Sequence, residues 1–547
     1  MAKRPLKNSV PVQPPLVAPV WRWAPGVIIA LMIAGSAMAA LLALLTHASE
    51  LDPASLWQQA YLRRTVMFSL EQAALSTLLT LLLAVPVARA LFRRGPWPGR
   101  RWLIRCMEVT LVLPPIVVVF GLVAVHGRQG WVNSLLSGVL PSYLYGLSGI
   151  LLAHVFYNVP LVARLLLQSL EQIPSQHWRL AAQLGLQSPS LWRTLEWPVL
   201  RKALPRLGAL VFTLCFTSFA IVMTLGGGPR ATTLEVAIYQ ALRFDMDIGQ
   251  AALLSLVQAL ICGLLWWLAG RRGQSSVLAG YTLPSPWPRR DRLQPSKRWL
   301  DRLTLLLFML LLLPPLVAVA LEGSEGLWQL LNDGRLWSAW WLSLRMALVA
   351  GMGSVLVALL IVGASLSLRQ RMNKTLGQSV ESAGYLSLIL PSIVLGTGWF
   401  VLLRPWVSVM EAGYSLVVAV NILVSLPFVI QALRGPLASM DEPSQKLAAN
   451  LNLRGWYAWR WLYWPRVKPA IGLGLAYGMT FSLGDFSVVA LFGSPTSPTL
   501  PMLLYQLLGS YRMSAAAACA LLILLTMVMI FSLCALLFRR RWQPQES

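Results

Sequence analysis

Arg179-Leu-Ala-Ala-Gln-Leu-Gly-Leu186 and Lys446-Leu-Ala-Ala-Asn-Leu-Asn-Leu453 are two copies of one segment, 267 residues apart (446 − 179). Each is followed at the same distance by a Trp-Pro pair, Trp197-Pro198 and Trp464-Pro465. Upstream, His154-Val-Phe-Tyr-Asn-Val-Pro160 aligns with Asn421-Ile-Leu-Val-Ser-Leu-Pro427 at the same shift. Leu111-Val-Leu-Pro-Pro-Ile-Val117 mirrors Leu388-Ile-Leu-Pro-Ser-Ile-Val394, and Thr233-Leu234 with Tyr239-Gln240 mirrors Thr499-Leu500 with Tyr505-Gln506. Chance could supply one such match. An ordered series at nearly constant offset is an internal duplication.

What is duplicated follows from composition. Of 547 residues, 57% are hydrophobic and 12% charged, with 45 Lys+Arg against 20 Asp+Glu. Soluble domains carry about a quarter charged residues. Uncharged stretches recur at 24–45, 66–91, 104–125, 146–170, 206–225, 249–270, 301–321, 339–366, 383–403, 413–433, 471–491 and 514–537. Each is close to the length at which a helix crosses a bilayer, about 20 residues. The chain is therefore expected to be an all-α membrane protein of about 12 transmembrane helices. The net charge of +25 lies mostly between spans, which excludes a basic nucleic-acid-binding face on a soluble fold.

Lys and Arg concentrate in alternate loops, among them Arg93, Arg94, Arg100 and Arg101, then Arg289, Arg290 and Arg292, then Arg539, Arg540 and Arg541. The positive-inside rule makes those loops cytoplasmic, with both termini. Both Ala-Ala segments then lie on the cytoplasmic side, so two six-helix repeats run parallel. The expected domains are a first half over 1–272, a cytoplasmic linker over 273–300 and a second half over 301–547. The five Cys and four His lack metal-ligand spacing, so neither a metal nor a disulfide is expected.

The repeated segment resembles the EAA loop of ABC importer permeases, whose pattern is Glu-Ala-Ala, three residues, Gly, and then a Leu-Pro pair. Here Arg179 and Lys446 replace the Glu, Asn452 replaces the second Gly, and Trp replaces the Leu before Pro198 and Pro465. The resemblance implies a type I importer permease fold, with ATPase-coupling loops at about 175–200 and 442–467. Arg179, Leu180, Ala181, Ala182, Gly185 and Pro198 would form one coupling surface. Lys446, Leu447, Ala448, Ala449, Asn452 and Pro465 would form the other. Small Ala side chains would let a short helix press into a partner groove. Gly185 or Asn452 would end that helix with positive φ, and the prolines would restart the next. Without a Gly-x-x-x-x-Gly-Lys-Ser/Thr loop the chain has no phosphate cradle of that type. ATP is expected on a separate ATPase, two copies of which the two loops would dock. No cofactor is expected in this chain.

Val125-His-Gly-Arg-Gln-Gly-Trp131, Leu225-Gly-Gly-Gly-Pro-Arg-Ala-Thr-Thr233 and Gly484-Asp-Phe-Ser-Val-Val-Ala-Leu-Phe-Gly493 are similar to strings of Gram-negative permeases for thiamine or its phosphates. That resemblance implies a bacterial inner-membrane location, contact with lipid and a periplasmic thiamine-binding protein. Fused permeases for ferric iron share the repeat and the loops. An ion-driven secondary transporter is the alternative of another class, but would leave the repeated loops without a use. No grouping of carboxylate, His or Cys has the spacing of a catalytic site, so no enzyme is expected.

Three charges are candidates for the translocation path, because intramembrane charge is costly and functional by default. Glu71 and Arg345 stand at equivalent places, since Ser69-Leu70 matches Ser343-Leu344, and could pair across the halves. Asp485 matches Ser218 in the first half and could attract a thiazolium cation or pack on a polar neighbour.

Overall fold

The computed structural model describes residues 23–48, 59–135, 143–270, 294–371, 373–406, 408–438, 448, 450–451, 453, 455–494 and 496–539. Every regular element among them is helical. The first half comprises α1 (Ala24–Ala48), α2 (Ala60–Arg94), α3 (Arg100–Val112), α4 (Pro115–His126) and α5 (Leu147–Glu171). It continues with α6 (Ser175–Gln183), α7 (Trp197–Phe216), α8 (Phe219–Leu225), α9 (Leu234–Arg243) and α10 (Ile248–Gly270). The second half comprises α11 (Pro295–Leu331), α12 (Gly334–Arg371), α13 (Lys374–Ala383), α14 (Ser392–Leu403) and α15 (Val409–Ala438). It ends with α16 (Trp464–Gly484), α17 (Ser487–Phe492), α18 (Leu500–Gly509) and α19 (Met513–Leu537). The expected linker lies largely outside the described residues.

Among the described residues, nine helices are long and apolar enough to span a membrane. A tenth span is bent by 51° between the helical stretch Ser188–Phe216 and α8. The α13–α14 and α16–α17 segments occupy the remaining two expected spans. Large apolar side chains such as Leu31, Met32, Leu82, Leu307, Leu356 and Leu536 are exposed on the outer helix faces. Facing hydrocarbon, such surface has no need of a polar covering.

Four of the expected spans are not continuous helices, and they are equivalent in pairs. Span 104–125 breaks between α3 and α4, and its counterpart 383–403 breaks just before α14. Proline explains both. Leu113 (φ −60°, ψ 135°) and Leu390 (φ −107°, ψ 102°) are extended because each precedes a proline, Pro114 or Pro391. Span 206–225 breaks at Thr217-Ser218 and span 471–491 at Asp485-Phe486, in neither case at a proline.

The halves are interlocked by their first helices. α1 packs on α10 of its own half but also on α12 and α14 of the other. Reciprocally, α11 packs on α19 of its own half and on α2 and α4 of the first. At the α11–α4 crossing, a Cβ on Gly121 would fall 2.6 Å from the Pro315 carbonyl oxygen, so only glycine permits that approach. A buried ion pair, Arg93 on α2 with Asp301 on α11 (3.7 Å), joins the halves near one end of the bundle.

Candidate functional site

Between the halves lies a cavity of about 1780 Å³. The broken spans build its wall: Leu113, Pro114, Thr217, Ser218, Gly484 and Asp485 all face it. Non-helical backbone at membrane depth is tolerated where it borders such a cavity, because the freed polar groups are not presented to lipid. α5 contributes His154 and Asn158, and α15 contributes Asn421. These are anchored within their own halves. His154 Nδ1 hydrogen-bonds Ser76 Oγ (2.8 Å), and Asn421 donates through Nδ2 to Ser482 Oγ (3.1 Å).

One end of the cavity is closed by aromatic rings. Phe219 at the start of α8 stacks on Phe486 just before α17, with centroids 5.5 Å apart and planes inclined by 30°. Tyr239 backs Phe219 (5.2 Å), and Tyr505 backs Phe486 (5.0 Å). The four rings form a symmetric plug, since Phe219 maps to Phe486 (shift 267) and Tyr239 to Tyr505 (shift 266). α7 climbs about 30 Å from Trp197 to Phe216 at 1.5 Å per residue, which puts the plug at the end far from the Ala-Ala segments. Toward the other end the lining turns cationic, with Arg206, Arg369, Arg434 and Arg466. Glu381 holds two of these, Arg369 at 2.6 Å and Arg434 at 3.3 Å.

The Ala-Ala segment forms a short helix, α6, and it ends as the sequence requires. Gly185 adopts φ +65°. The Leu186 N–H donates to the Ala181 carbonyl (3.0 Å) and the Gly185 N–H to the Ala182 carbonyl (3.2 Å), the bond pair of a Schellman ending. In the second copy the Leu453 N–H donates to the Ala448 carbonyl (2.8 Å) in the same way. Lys446, Leu447, Ala449 and Asn452 lie outside the described residues.

The orientation of α6 differs from the expectation. Ala181 is only 4% exposed and turns inward with Trp178 against Leu191, while Phe92 packs on Trp178 (5.6 Å). Ala448 is equally hidden, at 6%. The outward face instead carries Leu180 (54% exposed), Leu184 (65%) and Arg179, and Leu451, the equivalent of Leu184, is 58% exposed. Small Ala therefore seats the helix on its own chain, and the leucines remain exposed.

Each segment leads into a π-helical turn, Trp192–Glu196 or Trp459–Tyr463, immediately before Trp197-Pro198 or Trp464-Pro465. The wide turn absorbs a proline that cannot donate to the preceding turn. In the first half, Arg89 of α2 locks this turn by pairing with the buried Glu196 (2.7 Å) and lying 4.0 Å over the Trp192 ring.

Of the three charges expected on the path, Asp485 lines the cavity and the other two do not. Glu71 and Arg345 are both exposed on the outer faces of α2 and α12, and no ion pair joins them. The residues turned inward are their neighbours Ser69 and Ser343. Ser69 Oγ accepts the N–H of Leu234 at the start of α9 (2.9 Å), and Ser343 Oγ accepts the N–H of Leu500 at the start of α18 (2.8 Å).

Residues 76–271 match the family model described as the inner-membrane component of binding-protein-dependent transport systems. Over 93% of this chain and 95% of the relative, identity is 43% to the thiamine transport system permease protein ThiP of Salmonella typhimurium (strain LT2). The chain belongs to the thiamine transport system permease family. Identity is 42% to the ThiP protein of Escherichia coli (strain K12) over the same shares. It is 38% to that of Brucella abortus (strain 2308), over 90% of each chain. The permease is thus an inner-membrane transport subunit, and ATP hydrolysis belongs to a separate chain. The family model covers the half whose Ala-Ala segment keeps its Gly, whereas the second copy has Asn452 in that place.

Proposed function

We propose that this permease imports thiamine, or its phosphates, from a periplasmic thiamine-binding protein, using the ATPase activity of two copies of a cytoplasmic subunit. The observation that carries the cargo is the 43% identity to a thiamine transport permease along nearly the whole chain. The two outward leucine faces, Leu180-Leu184 and the one containing Leu451, support a pair of ATPase docking sites. On this reading residues 1–272 and 301–547 are the two permease halves, 273–300 is the cytoplasmic linker, and both termini are cytoplasmic. Arg179, Leu180, Ala181, Ala182, Gly185 and Pro198 form the first coupling loop. Lys446, Leu447, Ala448, Ala449, Asn452 and Pro465 form the second.

The aromatic plug then closes the periplasmic end, and the Arg-lined mouth opens toward the cytoplasm. ATP binding draws the ATPases and the two coupling loops together, which separates Phe219 from Phe486. Loaded binding protein favours that outward-open state, and hydrolysis restores the inward one. Each ligand moves the equilibrium only by its differential affinity for the two states.

The test is uptake by proteoliposomes holding the permease and its ATPase, with binding protein outside and ATP within. Labelled thiamine is expected to accumulate only when all three proteins and ATP are present, and ferric iron not to compete. Uptake driven by an ion gradient without ATP, or carriage of ferric iron in place of thiamine, would overturn the proposal.

A further inference from the structure

We infer that the cavity carries a cargo site on one half only: an aromatic wall of Phe428, Tyr477 and Phe481 beside the Asp485 carboxylate, fitted to a planar organic cation. The duplication makes the asymmetry visible. At the shift of 267 these four positions correspond to Leu161, Leu210, Leu214 and Ser218, and all eight residues line the cavity. Three aliphatic side chains on one wall thus correspond to three rings on the other, and a hydroxyl to a carboxylate, while Tyr157 on the first wall corresponds to Val424 on the second.

The rings form one continuous surface. Phe428 and Phe481 have centroids 4.5 Å apart and planes inclined by 32°, and Tyr477 lies 6.4 Å from Phe481 on α16. None of the three is fully buried. A cation over such faces gains about 0.5–2 kcal/mol from the ring quadrupole, more when water is excluded.

Asp485 adds the charge. Its Oδ1 accepts the Val488 N–H at 3.3 Å, whereas Oδ2 is buried without a close hydrogen bond of its own, the Asn421 side chain being the polar group beside the carboxylate. A carboxylate oxygen held that way inside a membrane is costly unless a cation or donor comes to it. Of the arginines nearer the mouth, Arg164 lies with Glu108 (3.4 Å), and Arg369 and Arg434 with Glu381. A cationic cargo is fitted to supply that partner. It meets the carboxylate directly beneath the plug, because Phe486 is the next residue in the chain.

This inference rests on the proposed cargo, whose thiazolium ring is a permanent cation joined to a flat aminopyrimidine. An asymmetric site also suits an asymmetric molecule, which could not satisfy two identical walls at once.

The test uses the complete reconstituted importer and two readouts, thiamine uptake and ATP hydrolysis stimulated by binding protein. Phe481→Leu gives the second half the first half's residue and Asp485→Asn removes the charge, while Leu214→Ala and Ser218→Ala change the matching positions of the first half. Uptake is expected to fall about tenfold in the second-half variants, the change that 1.4 kcal/mol produces. That loss should be clearly larger than in the mirror variants. Stimulated hydrolysis should persist in all four, and Asp485→Glu should restore part of the uptake. Equal losses in both halves, or thiamine uptake undiminished in Phe481→Leu and Asp485→Asn, would overturn the site while leaving the importer assignment intact. So would loss of stimulated hydrolysis in parallel with uptake, because the residues would then be structural. Absence of thiamine uptake by the unaltered protein would instead remove the cargo assignment and the inference with it.

Discussion

Ser69 and Ser343 close two equivalent helix starts, and they do what the threonines in front of those helices do not. Thr233 and Thr499 occupy the N-cap positions of α9 and α18, yet their hydroxyls make no hydrogen bond; the serine oxygens arriving from α2 and α12 accept the first helical N–H instead. Losing an N-cap acceptor costs about 0.5–2 kcal/mol. Ser69→Ala and Ser343→Ala should therefore each lower the thermal unfolding midpoint of the detergent-solubilised protein. The two shifts should be similar and combine additively, as expected of distant sites. The same pair explains why Glu71 and Arg345 do not reach the cavity. The alignment of Ser69-Leu70 with Ser343-Leu344 locates the right turn of both helices. Two residues further on is about 200° around an α-helix, so if the serines point inward the charges point out. Sequence shows the charge; only the helical phase shows its direction. Asp485 stands at a break of its helix, where its carboxylate accepts the Val488 N–H beside the cavity.

At the scale of elements, the repeat and the composition made the twelve spans and their pairing legible. The breaks were legible only in part. Pro114 and Pro391 announce theirs through a general constraint on the residue before proline. Thr217-Ser218 and Asp485-Phe486 carry no such mark, and there the chain bends beside the cavity and the plug. The α6 helix gave the opposite lesson. Its ending at Gly185 followed from residue type, whereas its exposed face did not, since alanine suits a tight seat on either side. Structure assigns Ala181 and Ala448 to the permease and leaves Leu180, Leu184 and Leu451 outward. Leu180→Asp and Leu184→Asp together should abolish co-purification of the ATPase at one loop and leave membrane insertion intact. Burying a charge without a partner at such an interface costs several kcal/mol. Ala181→Trp and Ala448→Trp should act differently, by lifting the helix from its own chain and uncoupling hydrolysis from uptake. Retention of the ATPase with full transport in the leucine variant would show that the partner binds elsewhere.

As a whole, the molecule is two six-helix units that cannot separate without unpacking α1 and α11 from the opposite half. The interlock, with the buried Arg93–Asp301 pair, ties the halves together, so that on the proposed mechanism they tilt about the cavity rather than part. The sequence could not disclose this crossover, because a lipid-facing stripe and a helix-facing stripe are equally apolar. The plug and the proposed coupling loops sit at opposite ends of the cavity, so closing one end should open the other. Paired spin labels measure this most directly. One pair replaces Leu184 and Leu451 on the coupling loops, and the other replaces the exposed Asp245 and Ser510 beyond the plug. Half-buried Cys106 is changed to Ala, the other four cysteines being buried. On trapping with ATP and binding protein, the Leu184–Leu451 distance should shorten and the Asp245–Ser510 distance lengthen. Two distances that stay fixed, or that shorten together, would contradict the account.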